Sequence, residues 1–241
     1  MSKRSNAANG VDKAVQETVK GHTVDKQTRL LNDPNPGHFS LIRAYHLADL
    51  ITLMNGFCGF MSITSSMRYC IDPTEKVYLW AALIFMPFGL FFDFFDGKVA
   101  RWRKKSSVMG QELDSLADLI SFGVAPASCA FAFGMRTPLD QVLLTGFVLC
   151  GLARLARFNV TTGNVPKDAN GKAKYFEGLP IPTSLSIAGL MGYWASQNWV
   201  QNEIPYGTIA QGTIFEVHPV VGLFVIHGCT MVSKTLHVPK P

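Results

Sequence analysis

The chain has 241 residues, of which 48% are hydrophobic, and a formal net charge of +5. The apolar residues stand in long uncharged blocks, leaving too little polar surface to cover a soluble all-α domain of this size, so that class is excluded. The basic excess lies between the blocks and falls almost wholly on one side of them, which marks membrane topology and excludes a nucleic-acid surface as its cause.

Residues 1 to about 36 are polar and carry no apolar h-region. They read as a disordered cytoplasmic tail without a cleavable signal, followed by a membrane catalytic domain over 37–241. Uncharged runs cover 50–67, 77–92, 119–135, 141–153, 178–202 and 217–233. Each can be extended by semi-polar neighbours towards the roughly 20 residues of a spanning helix. The expectation is an all-α integral membrane protein with six transmembrane helices. With both termini inside, every Lys and Arg except Arg68, Lys76 and Arg136 falls on the cytoplasmic side. Pro87 is expected to kink the second helix just before its aspartates. The five cysteines have no CxxC spacing, and His46, His218 and His227 have no metal-ligand spacing, so both sets read as packing or interface residues.

The richest stretch begins where the second run ends: FFDFFDGKVARWRKKSSVMGQELDSLADLISFGVAPA, over 91–127. Asp93 and Asp96 are three apart and Asp114 and Asp118 four apart, so each pair projects from one helix face. A short basic loop joins the two helices, which predicts an antiparallel hairpin with both pairs at one depth near the cytoplasmic surface. Ordinary helix-end carboxylates are the competing reading. Against it, Asp93 and Asp96 sit near a helix C-terminus, where the macrodipole disfavours negative charge, and intramembrane carboxylates are costly unless neutralised. Bound Mg²⁺ or Mn²⁺ is the natural solution for four hard oxygen donors. Between the pairs, Gly97, Ala100 and Gly110 leave room for a nucleotide to approach the backbone, and Lys98 and Arg101 stand ready for phosphate oxygens. Small residues at these positions also fit plain helix packing.

At these residues the chain resembles the CDP-alcohol phosphatidyltransferases, whose signature is Asp-x2-Asp-Gly-x2-Ala-Arg-x8-Gly-x3-Asp-x3-Asp. Asp93, Asp96, Gly97, Ala100, Arg101, Gly110, Asp114 and Asp118 match it throughout. Further segments resemble the fungal branch whose acceptor is L-serine: HLADLITLMNGFCGF (46–60), GLARLARFNV (151–160), YFEGLPIPT (175–183) and the chain end. The resemblance implies a six-helix membrane fold, a homodimer, residence in the endoplasmic reticulum membrane and a two-metal site open to the cytoplasm and to lipid. It also implies displacement of CMP from CDP-diacylglycerol. By matching position, Asp93, Asp96 and Asp114 are implied metal ligands, and Asp118 both a ligand and the general base.

An amino-acid acceptor needs a cation for its carboxylate and an acceptor for its ammonium group. Arg154 and Arg157 share a helix face at the cytoplasmic end of the fourth run, followed by Phe158 and Asn159. Interfacial anchoring is their alternative role. Glu177 precedes the rigid Gly-Leu-Pro-Ile-Pro segment and is the candidate for the ammonium group, with a solvated loop acid as the alternative. Asp49 and Asn55 in the first helix are candidates for cytidine or ribose contacts, with helix–helix hydrogen bonding as the rival. Two other functions compete with serine transfer: the same chemistry on inositol, glycerol phosphate or an amino alcohol, and divalent-cation transport. Transport sites lie near the midplane, whereas these carboxylates lie at one surface.

The topology makes a direct prediction. Asn159-Val160-Thr161 is a formal glycosylation acceptor on the cytoplasmic side, so it stays unmodified in a eukaryotic host. A glycosidase-sensitive mass shift that disappears in Asn159→Gln would overturn this arrangement of spans.

Overall fold

A computed structural model describes residues 45, 47–103, 108–161, 175–233, 235 and 237–239. The chain divides into two units, Met1–His46 and Leu47–Pro241, and the expected tail over 1–36 lies outside the described residues. Every helix and strand among the described residues belongs to the second unit.

Helix α1, Leu47–Ile71, and helix α2, Lys76–Arg103, are 25 and 28 residues long. At 1.5 Å per residue they measure about 37 and 42 Å, enough to cross a hydrocarbon core of about 30 Å. Asp72 makes the turn between them by accepting from the Thr74 backbone N–H at 3.0 Å and the Thr74 hydroxyl at 2.6 Å. Facing positions run in opposite directions along the two helices, Thr52 meeting Asp96, Asn55 meeting Gly89 and Ser62 meeting Ala82, so the pair is antiparallel. α2 continues unbroken through Pro87.

The polarity of α1 is the reverse of a soluble helix. Its buried face carries Thr52, Asn55, Ser62, Ser65 and Ser66, while Leu50, Leu53, Met54, Phe57 and Phe60 are exposed. Lipid as solvent explains this: apolar side chains lose nothing by facing acyl chains, and small or hydroxylic residues allow close packing with internal hydrogen bonds. Ser62 donates to Ala82 O at 2.7 Å, and Ser65 and Ser66 donate back to Met61 O and Ser62 O.

The third apolar run belongs to one continuous span, Met109–Phe133. It consists of helix α3, Val108–Asp118, the π-helical turns Leu119–Val124, and helix α4, Ala125–Phe133. Two contacts account for the π turns. Gly59 of α1 lies against the backbone of Ser121, where an added Cβ would stand 2.8 Å from Ser121 Cα, and Ser121 Oγ donates to Asn55 O at 2.9 Å. Pro126 lacks the N–H that Phe122 O would receive in an α-helix, and Ser184 Oγ supplies a donor to that carbonyl at 2.7 Å instead. Gly134, at φ 127°, ends α4.

Helix α5, Pro138–Thr161, begins with a capping box: Asp140 N–H donates to Thr137 Oγ1 at 3.2 Å, and Thr137 N–H donates to Asp140 Oδ2 at 3.1 Å. The buried Asp140 carboxylate also bonds the backbone N–H and Nδ1 of His218 at 3.0 and 2.6 Å. His218 is thus a packing residue that ties the last apolar run to the start of α5.

Among the described residues, four helices are long and apolar enough to cross a membrane. The expected fifth and sixth spans fold shorter. The fifth run gives a 3-10 turn, Ile181–Ser184, that passes directly into helix α6, Leu185–Ser196, which Gln197 ends before the run does, with Asn198 at φ 60° just beyond. The sixth gives a 3-10 turn, Pro219–Val221, and helix α7, Gly222–Val232. With their contiguous 3-10 turns these segments run over 181–196 and 219–232 and reach roughly 26 and 22 Å, at about 2.0 Å per 3-10 residue and 1.5 Å per α residue. Strands β1, Tyr175–Glu177, and β2, His237–Pro239, pair antiparallel, a small exception to an all-α membrane fold.

The Gly59 contact is open to test. Gly59→Ala places a methyl group against backbone that cannot rotate away, an overpacking cost of about 1–3 kcal/mol. Gly146→Ala meets nothing within 4 Å. In detergent, thermal unfolding of Gly59→Ala comes several degrees earlier than wild type, while Gly146→Ala stays close to it.

Candidate active site

The aspartate pairs sit where α2 ends and α3 runs into the π turns. Asp93, Asp114 and Asp118 each offer a carboxylate oxygen, and these three oxygens all lie within 4.8 Å of one another. Asp96, the fourth expected member, stands outside that group. It is buried, and its Oδ2 accepts from Thr52 Oγ1 at 2.6 Å. The hairpin of sequence-matched pairs therefore closes into a triad with one carboxylate held to the side by α1.

Asp118 is oriented by a neighbour that sequence spacing does not pair with it. Asn55, fully buried, donates from Nδ2 to Asp118 Oδ1 at 3.1 Å. Its own Oδ1 has no hydrogen-bond partner among the described residues and faces Gly89, where a Cβ would come within 2.9 Å of it. The expectation that Asn55 touches nucleotide or bridges helices thus meets a helix–helix bond onto the base candidate itself. Thr52 is a member of the site that sequence reasoning missed. Its signal is the 49, 52, 55 spacing, which puts three polar side chains on one face of an apolar helix. Asp49 is buried and close enough to Asp96 for their charges to interact.

The three gathered carboxylates fit a hard divalent cation. Three negative groups in a membrane bundle repel one another, and Asp114 Oδ1 is buried without a hydrogen-bond partner among the described residues. Oxygen-only donors match Mg²⁺ or Mn²⁺ and would not suit a soft metal.

Gly97 follows Asp96 directly and Gly110 stands one turn before Asp114. Lys98 is exposed, with Nζ 4.3 Å from the centroid of the Phe94 ring. The side chains of Ala100, Arg101 and Glu177 lie outside the described residues.

On the acceptor side the two arginines differ. Arg154 is buried, its Nε lacks a partner among the described residues, and it lies close enough to Asp118 for their charges to interact. Its guanidinium sits 5.7 Å from the centroid of the Phe158 ring. Arg157 donates from Nη1 to Val232 O at 2.9 Å and so caps the C-terminus of α7. Asn159 accepts from Ser115 Oγ at 3.1 Å and donates to Glu112 Oε2 at 3.1 Å, joining the end of α5 to the aspartate helix α3. The structure therefore brings Asp93, Asp114, Asp118, Asn55 and Arg154 to one end of the bundle.

Residues 45–221 match the family model described as CDP-alcohol phosphatidyltransferase. The chain is 53% identical over 205 residues to the CDP-diacylglycerol–serine O-phosphatidyltransferase of Saccharomyces cerevisiae, covering 85% of this chain and 74% of that protein. It is 37% identical over 135 residues to the Bacillus subtilis protein of the same name, covering 55% of this chain and 67% of the relative. It is also 37% identical over 155 residues to the archaetidylserine synthase of Methanothermobacter thermautotrophicus, covering 62% and 60% respectively.

The carboxylate triad predicts metal-linked stability. Titrating Mg²⁺ or Mn²⁺ into detergent-solubilised wild type raises its unfolding temperature by mass action. Asp114→Asn shifts the half-maximal metal concentration upward by about tenfold or more, the scale of one lost charge-assisted ligand. The exposed Glu203→Gln leaves it unchanged. Equal titration curves for all three proteins would dismiss the triad as a metal centre.

Proposed function

This chain belongs to the CDP-alcohol phosphatidyltransferase family, and from that premise we propose that it transfers the phosphatidyl group of CDP-diacylglycerol to L-serine, releasing CMP. The observation that carries the reading is a base candidate, Asp118, beside two other carboxylates and within charge range of the buried, incompletely bonded Arg154. Nucleotide-activated lipid and an anionic amino acid need these two kinds of group side by side.

The family uses a divalent metal, and Asp93, Asp114 and Asp118 are the residues to hold it, with Asp96 beside them as the fourth carboxylate of a two-ion Mg²⁺ or Mn²⁺ site. When bound, such ions neutralise the pyrophosphate and stabilise charge on departing CMP. The cytidine diphosphate lies along Asp49, Gly97, Lys98, Ala100, Arg101 and Gly110, with Asn55 serving the same pocket from beneath through Asp118. Arg154 and Arg157 take the serine carboxylate, Glu177 its ammonium group, and Phe158 flanks Arg154. The serine hydroxyl oxygen bonds to the phosphatidyl phosphorus as the phosphorus–oxygen bond to CMP breaks, and CMP leaves with the electron pair. Asp118 receives the hydroxyl proton. The Asn55 N–H on one oxygen of Asp118 holds the orientation of the carboxylate for this task.

The cellular setting follows the same reading: six crossings counting the two short helices, a homodimer, and an endoplasmic reticulum membrane with active site and both termini facing the cytoplasm. Loop charge supports the orientation.

The test is CMP release from CDP-diacylglycerol by purified protein against serine, inositol, glycerol phosphate and ethanolamine, beside CDP-lipid binding. Serine alone supports rapid release, and Asp118→Asn loses nearly all turnover while retaining most CDP-lipid affinity, because an amide keeps the shape but takes no proton. Release with another alcohol at the serine rate would change the acceptor, and substantial activity in Asp118→Asn would remove it as the base.

A further inference from the structure

His227 lies in α7, outside the family signature and away from the carboxylates, and its surroundings give it a definite hydrogen-bonding role. Its Nε2 is 2.9 Å from Thr183 Oγ1, and the Thr183 hydroxyl donates to Pro180 O at 2.6 Å. A hydroxyl has one hydrogen. Since that of Thr183 is committed to Pro180, the imidazole must be the donor, so the proton is on Nε2. Nδ1 is then a buried acceptor with no partner among the described residues, and the ring packs edge-on against Phe147 at 5.8 Å between centroids. A ring held this way offers Thr183 one direction only.

Thr183 belongs to the 3-10 turn Ile181–Ser184, which packs against α5 and the π turns. Ile181, fully buried, stands where a Cβ on Gly151 would be 3.0 Å from its Cδ1 and one on Gly123 would be 3.8 Å away. It is a wedge between α5 and the π turns. Gly151 is three residues before Arg154, and the π turns follow Asp118 directly. Ser184 anchors the same turn to Phe122 O. On its other side the segment is fastened to α7: Leu179 N–H donates to Thr230 O at 3.2 Å, Gly178 at φ 76° lies so close to Met231 O that no side chain fits, and Thr230 Oγ1 donates to His227 O.

We propose that His227 is a positioning residue for the acceptor: through Thr183 it fixes the wedge of Ile181, and the wedge sets the separation between Arg154 and Asp118. The inference rests on the serine-transfer reading, with the acceptor carboxylate at Arg154. Losing the His227–Thr183 bond lets α5 shift relative to the π turns, which misplaces the serine while the nucleotide side, built on α1, α2 and α3, stays in register.

The experiment measures CMP release by the purified full chain in mixed micelles, varying serine and CDP-diacylglycerol separately, for wild type, His227→Phe, His227→Gln, Thr183→Val and the double variant His227→Phe/Thr183→Val. His227→Phe and Thr183→Val each raise the KM for serine about three- to tenfold, with the CDP-lipid KM within about twofold, the scale of one net hydrogen bond. His227→Gln, whose amide nitrogen reaches the Nε2 position, recovers most of the serine KM. The double variant is no worse than Thr183→Val, because Thr183→Val already removes the bond that His227→Phe breaks. Additive losses, an equal rise in both KM values, or a His227→Gln as impaired as His227→Phe would overturn the proposal. Should His227→Phe fail to fold, Thr183→Val and His227→Gln decide the matter, since a Thr183→Val with wild-type serine KM is incompatible with the role. A wild type that releases no CMP with serine sinks the acceptor reading first, and the inference with it.

Discussion

The backbone contact between Gly59 and Ser121 sets how near α1 comes to the helix that carries Asp114 and Asp118. Without a side chain at 59, the two backbones meet closely enough for Ser121 Oγ to reach Asn55 O, and that approach brings the Asn55 amide onto Asp118. One turn towards the start of α1, its pairing with α2 delivers Thr52 to Asp96. The antiparallel pairing of α1 with α2 then places Asp93 opposite the two acids of α3. Three segments far apart in sequence thus meet around three carboxylates because one residue has no Cβ.

Such a cluster is sustainable only because the bundle inverts the usual distribution of polarity. In water the serines, threonine and asparagine of α1 would face outwards and its leucines and phenylalanines inwards. In lipid the polar face is the one that gains by burial, since only other protein groups can complete its hydrogen bonds. The polar stripe then leads directly to the carboxylates, so the face that holds the helices together also builds the site. The opposite end follows the same logic with a different device, the Asp140 carboxylate satisfying a helix start and the His218 loop together.

Much of this was legible in the sequence. The 93, 96, 114 and 118 spacing announced a hairpin of acids, and the family signature fell on the same residues. The first two spans and the one containing Leu144 and Phe147 were marked by uncharged runs. The separation of Asp96 from the other three was not legible, because it depends on Thr52, a contact across 44 residues. Nor were the π turns: Leu-Ile-Ser-Phe-Gly-Val carries no local signal, and the distortion comes from Gly59 on another helix and Ser184 far downstream. The sixth run is helical over nearly its whole length, while the fifth, apolar to residue 202, stops at Ser196, because the turn beyond Gln197 carries no hydropathy signal. His227 looked like packing because its chemistry lies in a tautomer fixed by the hydroxyl of Thr183, a partner 44 residues away.

The π turns also have a consequence for helical phase. An α-helix advances about 100° per residue, so accommodating one extra residue in a wide turn rotates everything beyond it by about that angle. The span Met109–Phe133 therefore has two independent facings in one rod: Asp114 and Asp118 point to α1 and α2, while Ala125, Cys129, Ala132 and Phe133 are phased into the core on their own terms. A straight α-helix of the same sequence would have to choose between them. Removing one residue from within Leu119–Val124 would restore regular winding and turn the acids off their mark, so the length of this stretch is constrained more tightly than its composition.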